Sequence, residues 1–155
     1  MKITQFLIVA ATLAPLYAAD PTGAMFWSAS DMKAKDKVLA TKLDETKSGM
    51  DKIITMPNFN ALNFHREGSG QSEVHEKFAD FVIVRSGQGA IMVGGTSKNA
   101  KPTTPGETRG EGVEGGTRYE VKPGDVLYIP AGVPHQMIVE KGKELNAMVI
   151  KIEAK

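Results

Sequence analysis

Lys122-Pro123-Gly124-Asp125-Val126-Leu127-Tyr128-Ile129-Pro130-Ala131-Gly132-Val133-Pro134-His135 is the stretch on which the fold reading turns. Pro123 fixes one central φ of a tight turn, and Gly124 supplies the positive φ that a type II turn requires next. Val126 to Ile129 then has the β-branched and aromatic character of a short strand. Pro130, Ala131 and Gly132 end it, and Val133-Pro134 leads into a new strand that His135 opens. A histidine at the head of a strand, directly after a rigid Pro-Gly turn, has little freedom. It is held at the mouth of whatever the strands enclose.

Working outward, similar short runs recur at Asp51 to Met56, Ala61 to Arg66, Asp80 to Arg85, Gly89 to Val93, Arg118 to Val121, Val126 to Ile129, His135 to Glu140 and Leu145 to Ile152. Gly, Pro, Ser or Asn clusters separate them, as in an all-β sandwich or barrel. The 16 Gly and 8 Pro among 155 residues fit many turns and one domain. Phe81 to Val84 is apolar on both faces, so something must cover its outer side, either an amino-terminal helix or a second subunit. Ser28 to Thr46 has helix character, with Ser28 and Asp31 at capping-box spacing and Met32, Leu39 and Leu43 on one side. Ser48-Gly49 reads as a turn before the barrel. Between Gly94 and Thr117 the sequence is rich in Gly, Thr and Pro and reads as a long loop or a lid.

The first nineteen residues differ from the rest. Lys2 is their one charge, Phe6 to Ala14 is apolar except for Thr12, and small residues follow Pro15 at Ala18 and Ala19. This is the pattern of a secretory signal peptide, and the apolar run is too short to favour a membrane span. The organisation expected is therefore 1–19 signal peptide, 20–50 helical extension and 51–155 barrel, in a periplasmic or secreted protein that is free of the membrane after cleavage. With no Cys, neither a disulfide framework nor lipidation is available. Lys plus Arg, at 19, balance Asp plus Glu, at 18, which argues against nucleic acid as a partner.

Gly124, Pro130, Gly132 and His135 match the second motif of the cupin superfamily, G-x5-P-x-G-x2-H, and the chain resembles that superfamily from about Asp51 onward. The first cupin motif, G-x5-H-x-H-x(3,4)-E-x6-G, is similar in altered form to Ser72-Glu73-Val74-His75-Glu76-Lys77-Phe78-Ala79-Asp80-Phe81-Val82-Ile83-Val84-Arg85-Ser86-Gly87. Here Glu73 stands for the first histidine and Asp80 for the glutamate, while Glu67 stands where the leading glycine belongs. The Asn that often follows the second-motif histidine by four positions is replaced by Val139. The resemblance implies a cupin barrel with one short amino-terminal helix and a metal site made of Glu73, His75, Asp80 and His135.

The residue types fit that implication. Glu73 and His75 are two apart and face the same way on a strand. Two imidazoles and two carboxylates suit Mn, Fe or Zn, with Ni also compatible. Glu73 is either a fourth ligand or a catalytic general base beside the metal. The alternative is a buried polar network without metal. His65 reads as an extra ligand, a substrate contact or a packing residue. Met137 and Val139 share the face of His135 and are expected to line the pocket, Glu76 to face solvent, and Tyr128 to pack, with a pocket or interface position as the alternatives. Asp125 and Arg118 fit turn and surface roles, and Arg66 or Arg85 is available to pair with a ligand carboxylate. Three functions remain open: a metalloenzyme acting on a small organic molecule, a non-catalytic ligand-binding or sensing module, and a structural protein. A homodimer is expected.

Overall fold

The computed structural model describes residues 22–154, so the expected signal peptide lies outside the described residues. Its one helix, α1 (Ala29–Ala40), precedes thirteen strands: β1 (Ser48–Met56), β2 (Phe59–Arg66), β3 (Ser72–His75), β4 (Phe78–Gly87), β5 (Gly89–Val93), β6 (Thr96–Lys98), β7 (Lys101–Thr104), β8 (Glu107–Gly110), β9 (Gly112–Glu114), β10 (Thr117–Val121), β11 (Val126–Ile129), β12 (His135–Ile138) and β13 (Leu145–Glu153). One sheet has the order β1-β2-β13-β4-β11 and faces a second of order β10-β5-β12-β3-β8-β7, with β6-β9 as a small third. All pairings are antiparallel. This is the all-β, jelly-roll architecture expected, with its single short helix.

The capping box is present, with Ser28 Oγ accepting from Asp31 N and Asp31 accepting from Ser28 N. The helix is shorter than the sequence suggests, because Thr41 Oγ1 donates to the Val38 carbonyl and Asp44 Oδ1 then accepts from Thr46 N and Ser48 N. That carboxylate organises a turn in which Lys47 takes a φ of 57°. The reversal therefore precedes Ser48-Gly49, which opens β1 instead of forming the turn expected there. Gly49 has another use. A Cβ there would lie 2.9 Å from the Leu39 carbonyl oxygen, so its bareness lets the helix end approach the sheet.

Alternation along the strands sorts the interior. Inward residues of β4 run Val84, Val82, Asp80, and those of β13 run Leu145, Ala147, Val149, Lys151. Each row passes from the apolar core to a charged end. The core joins Leu62, Val82, Val84, Ile129 and Val149 of one sheet to Ile91 and Val121 of the other. Val139, expected in the pocket, is packed here, because β12 ends at Ile138.

The segment 94–117 is not a loop or a lid. It carries β6 to β9, and β8 pairs with β3 at Ser72↔Gly110, Glu73↔Arg109, Val74↔Thr108 and His75↔Glu107. Its weak strand signal reflects exposure: β7 is exposed throughout, so no hydrophobic alternation marks it.

Candidate metal centre

Cross-strand register assembles the site. His135 of β12 lies opposite Glu73 of β3, Glu73 lies opposite Arg109 of β8, and His75 lies opposite Glu107. On the facing sheet Asp80 of β4 lies opposite Lys151 of β13. The turn that the sequence marks most clearly ties these strands together. Gly132, at φ 76°, donates its N–H to the His75 carbonyl at 2.8 Å, fixing the approach to His135 relative to β3.

The four side chains converge. His75 Nε2 is 3.3 Å from Glu73 Oε2 and 3.5 Å from Asp80 Oδ2. His135 Nε2 is 3.6 Å from Asp80 Oδ2 and 4.0 Å from Glu73 Oε2. Asp80 and both histidines are almost wholly buried, whereas Glu73 is partly open to a cavity of about 500 Å³ between the sheets. All four line that cavity.

Each carboxylate has one oxygen held by a cation and the other turned to the histidines. Arg109 pairs with Glu73 Oε1, and Lys151 Nζ donates to Asp80 Oδ1 at 2.7 Å. Each imidazole likewise has Nδ1 engaged. His75 Nδ1 meets Glu107 Oε2 at 2.6 Å, and His135 Nδ1 donates to the Val133 carbonyl at 3.0 Å.

Electrostatics follows from this packing. Burial alone would push the His75 pKa down, but Asp80 and Glu73 outweigh it and raise it to about 9. Burial would raise the Glu73 carboxyl, yet His75 and Arg109 bring it down to about 2. Burial opposes ionisation of Asp80 too, and His135, His75 and Lys151 overcome it, holding the carboxyl far below its ordinary range.

A family model described as "Cupin domain" matches residues 106–151. Among solved structures, TT1209 of Thermus thermophilus is similar at 17% identity, covering 76% of this chain and 92% of its own, with a TM-score of 0.54. A cupin-2 domain protein of Rhodospirillum rubrum, Rru_A2000, is similar at 17% identity over 70% of this chain and 63% of its own, with a TM-score of 0.51. The chain has the cupin fold, with its carboxyl-terminal third matching the cupin family model. The DMSP lyase DddQ of Ruegeria pomeroyi has a similar fold at 13% identity, covering 68% of this chain and 47% of its own, with a TM-score of 0.51. A sequence search of curated proteins finds no match.

The donor set fits a divalent ion. Metal bonds of about 2.0–2.2 Å put neighbouring ligand atoms roughly 3–3.5 Å apart, and most of the separations are near this. The Val133 carbonyl can only accept, so His135 carries its proton on Nδ1 and, when neutral, presents a bare Nε2. His75 Nε2 is buried and has no hydrogen-bond partner, as a ligand nitrogen oriented by Glu107 would be. Glu73, His75 and His135 offer three ligand atoms all within 4.8 Å of one another, and Asp80 adds a fourth beside both imidazoles.

The remaining expectations divide. Met137 lines the cavity and Glu76 faces solvent. Asp125 accepts from Lys122 N in its turn, and Arg118 pairs with Glu120 at the surface. His65 is buried away from the cavity, with Nδ1 meeting Asn146 Oδ1 at 2.7 Å and Nε2 meeting Glu67 Oε1 at 3.1 Å. Tyr128 does not pack in the core and is 57% exposed. Sequence reading missed Glu107, Arg109 and Lys151. The alternation Glu107-Thr108-Arg109 after the Pro105-Gly106 turn was the available signal for the first two.

Proposed function

We propose that this chain is an exported cupin whose Glu73, His75, Asp80 and His135 hold a divalent metal, Mn, Fe or Zn, and act on a small organic molecule in the cavity beside it. The observation that carries this reading is the buried, unpartnered His75 Nε2 among two carboxylate oxygens and a second imidazole. A bound ion would serve as a Lewis acid toward an oxygen-bearing ligand. The chain's own groups do the rest. Glu107 and the Val133 carbonyl orient the imidazoles, Arg109 and Lys151 balance the carboxylate charge, and Leu62, Phe64 and Met137 exclude water from the ligand's apolar part. The Arg109 contact and the depressed pKa make Glu73 a weak base, which supports its use as a ligand rather than as a general base. The lyase with a similar fold supports an enzymatic reading of such a cavity.

His135→Ala tests the site. It removes one ligand without opening the apolar core, so metal stoichiometry by elemental analysis falls to near zero while the circular dichroism spectrum stays that of a folded barrel. Full metal content in that variant sinks the assignment.

Homodimer formation belongs to the same reading. The rows Ile150-Phe81-Tyr128 and Met148-Ile83-Val126 cross β13, β4 and β11 on the outer face, where Val126 is 53% and Tyr128 57% exposed. The helix seats on β1 and β2, and the exposure of this apolar patch beside it supports a second copy as its cover.

A further inference from the structure

We propose that Arg66 is an anion receptor in the cavity and that the ligand is therefore a small organic carboxylate with an apolar portion. This rests on the reading of the cavity as the ligand site, and it adds the chemical class that site takes.

The two arginines available to a ligand have different fates. Arg85 is committed to the fold, since its Nη2 donates to Asp36 of the helix and to Asn63. Arg66 lines the cavity, is 5% exposed, and among the described residues forms no ion pair. Its Nη1 donates to the carbonyls of Thr46 and Gly68, both at 3.1 Å, while Nε has no partner. Glu73 and Asp44 act on this buried cation only from beyond ion-pair distance, so a close anion in the working state would compensate it better. Of the other cations lining the cavity, Arg109 faces Glu73 and Glu107, Lys151 faces Asp80, and Lys52 is exposed at the rim, so Arg66 is the buried one without a close ion pair.

The guanidinium is also held in place. It stacks over Phe64 at 5.3 Å, and a Cβ on Gly70 would sit 2.8 Å from its Cζ and Nη1. Gly70 is thus bare where the guanidinium plane needs room. Burial lowers the Arg66 pKa from its ordinary value, with Glu73 and Asp44 opposing that, but an arginine so placed still carries its charge at neutral pH. With Nη1 spent on two carbonyls and Nε sealed, Nη2, which makes no hydrogen bond among the described residues, is left to meet one carboxylate oxygen. Leu62, Phe64, Met50, Met137 and Val149 line the same cavity and provide the apolar wall.

The experiment is titration calorimetry of the folded barrel, metal-loaded and EDTA-treated, with benzoate, hexanoate and succinate against benzamide, hexanamide and succinamide. Acids are expected to bind in both forms, and more tightly than their amides. Arg66→Gln is expected to weaken the acids about tenfold or more, the size of a lost charge-assisted hydrogen bond, with metal content unchanged. Gly70→Ala, which displaces the guanidinium and keeps its charge, is expected to weaken acids and leave amides alone. Should Arg66→Gln fail to fold, the acid-against-amide comparison in the wild type and the Gly70→Ala arm still decide. The proposal is overturned by equal binding of acids and amides, by unaltered acid affinity in the folded variants, or by acid binding that disappears with EDTA, which puts the carboxylate on the metal. A wild type without metal whose EDTA-treated form still binds acids through Arg66 supports this proposal while removing the metal reading.

Discussion

Of His75, Glu107 meets the nitrogen remote from the other three candidate ligands, yet its effect on the site should be large. Glu107→Gln keeps the shape but weakens the hold on the His75 tautomer, and metal affinity by competition with a chelating dye is expected to drop about 10–100-fold. An unchanged constant would mean that Glu107 merely decorates the strand. The pKa shifts give a pH dependence with a definite sign. Because the folded His75 pKa is raised from 6.5 to about 9, its contribution to metal-free stability is complete below 6.5 and is lost as pH rises through 9. Glu73 is depressed from 4.5 to about 2, so its contribution is present above 4.5 and lost as pH falls through 2. Metal must displace the His75 proton, so apparent affinity is expected to fall by about tenfold per pH unit from 9 toward 7, a trend that calorimetry in two buffers of different ionisation heat would detect as proton release. His75 and His135 were legible because motif spacing and a Pro-Gly turn mark them. Glu107 was not, since it reaches His75 from 32 residues downstream in a stretch without hydrophobic alternation.

At the scale of elements, β8 and the helix end show what pattern reading loses. β8 is half-buried and positions Glu107 and Arg109 through its register with β3, and register is a long-range property. Gly49 looked like a turn residue because glycine is ambiguous between flexibility and close approach. Here the approach matters: Gly49→Val forces a branched side chain against the Leu39 carbonyl, with an expected loss of about 1–3 kcal/mol in urea-induced unfolding and no change in metal affinity. Equal stability of the variant and the wild type would mean that the helix shifts freely over β1. The capping box and the strands from β10 to β13 were readable, since caps and tight turns are written in local residue types.

For the whole molecule, the open apolar rows of β13, β4 and β11 bear on assembly. Replacing Val126 and Tyr128 together by Lys is expected to convert a dimer into a folded monomer by light scattering, with the metal site intact. A wild type that is monomeric at high micromolar concentration would leave this face without the role proposed for it. Phe81 and Ile83 were recognised as needing cover from their sequence. The helix docks on β1 and β2, where Asp36 meets Asn63, and reaches β4 through Arg85, which leaves Phe81 and Ile83 half-buried.

What the sequence determined by itself was local: the turn at Pro123-Gly124, the rigid entry to His135, the helix cap and the short strands, while the four converging side chains came from the resemblance to the cupin motifs. The tertiary structure alone decided which oxygens and nitrogens of those side chains are occupied, that 94–117 is sheet, and that Arg66 faces the cavity while Arg85 serves the helix. The division has a physical cause. Turns, caps and alternation are set by neighbours in the chain, whereas tautomers, ion pairs and the fate of a buried charge are set by strands that meet only when the two sheets close.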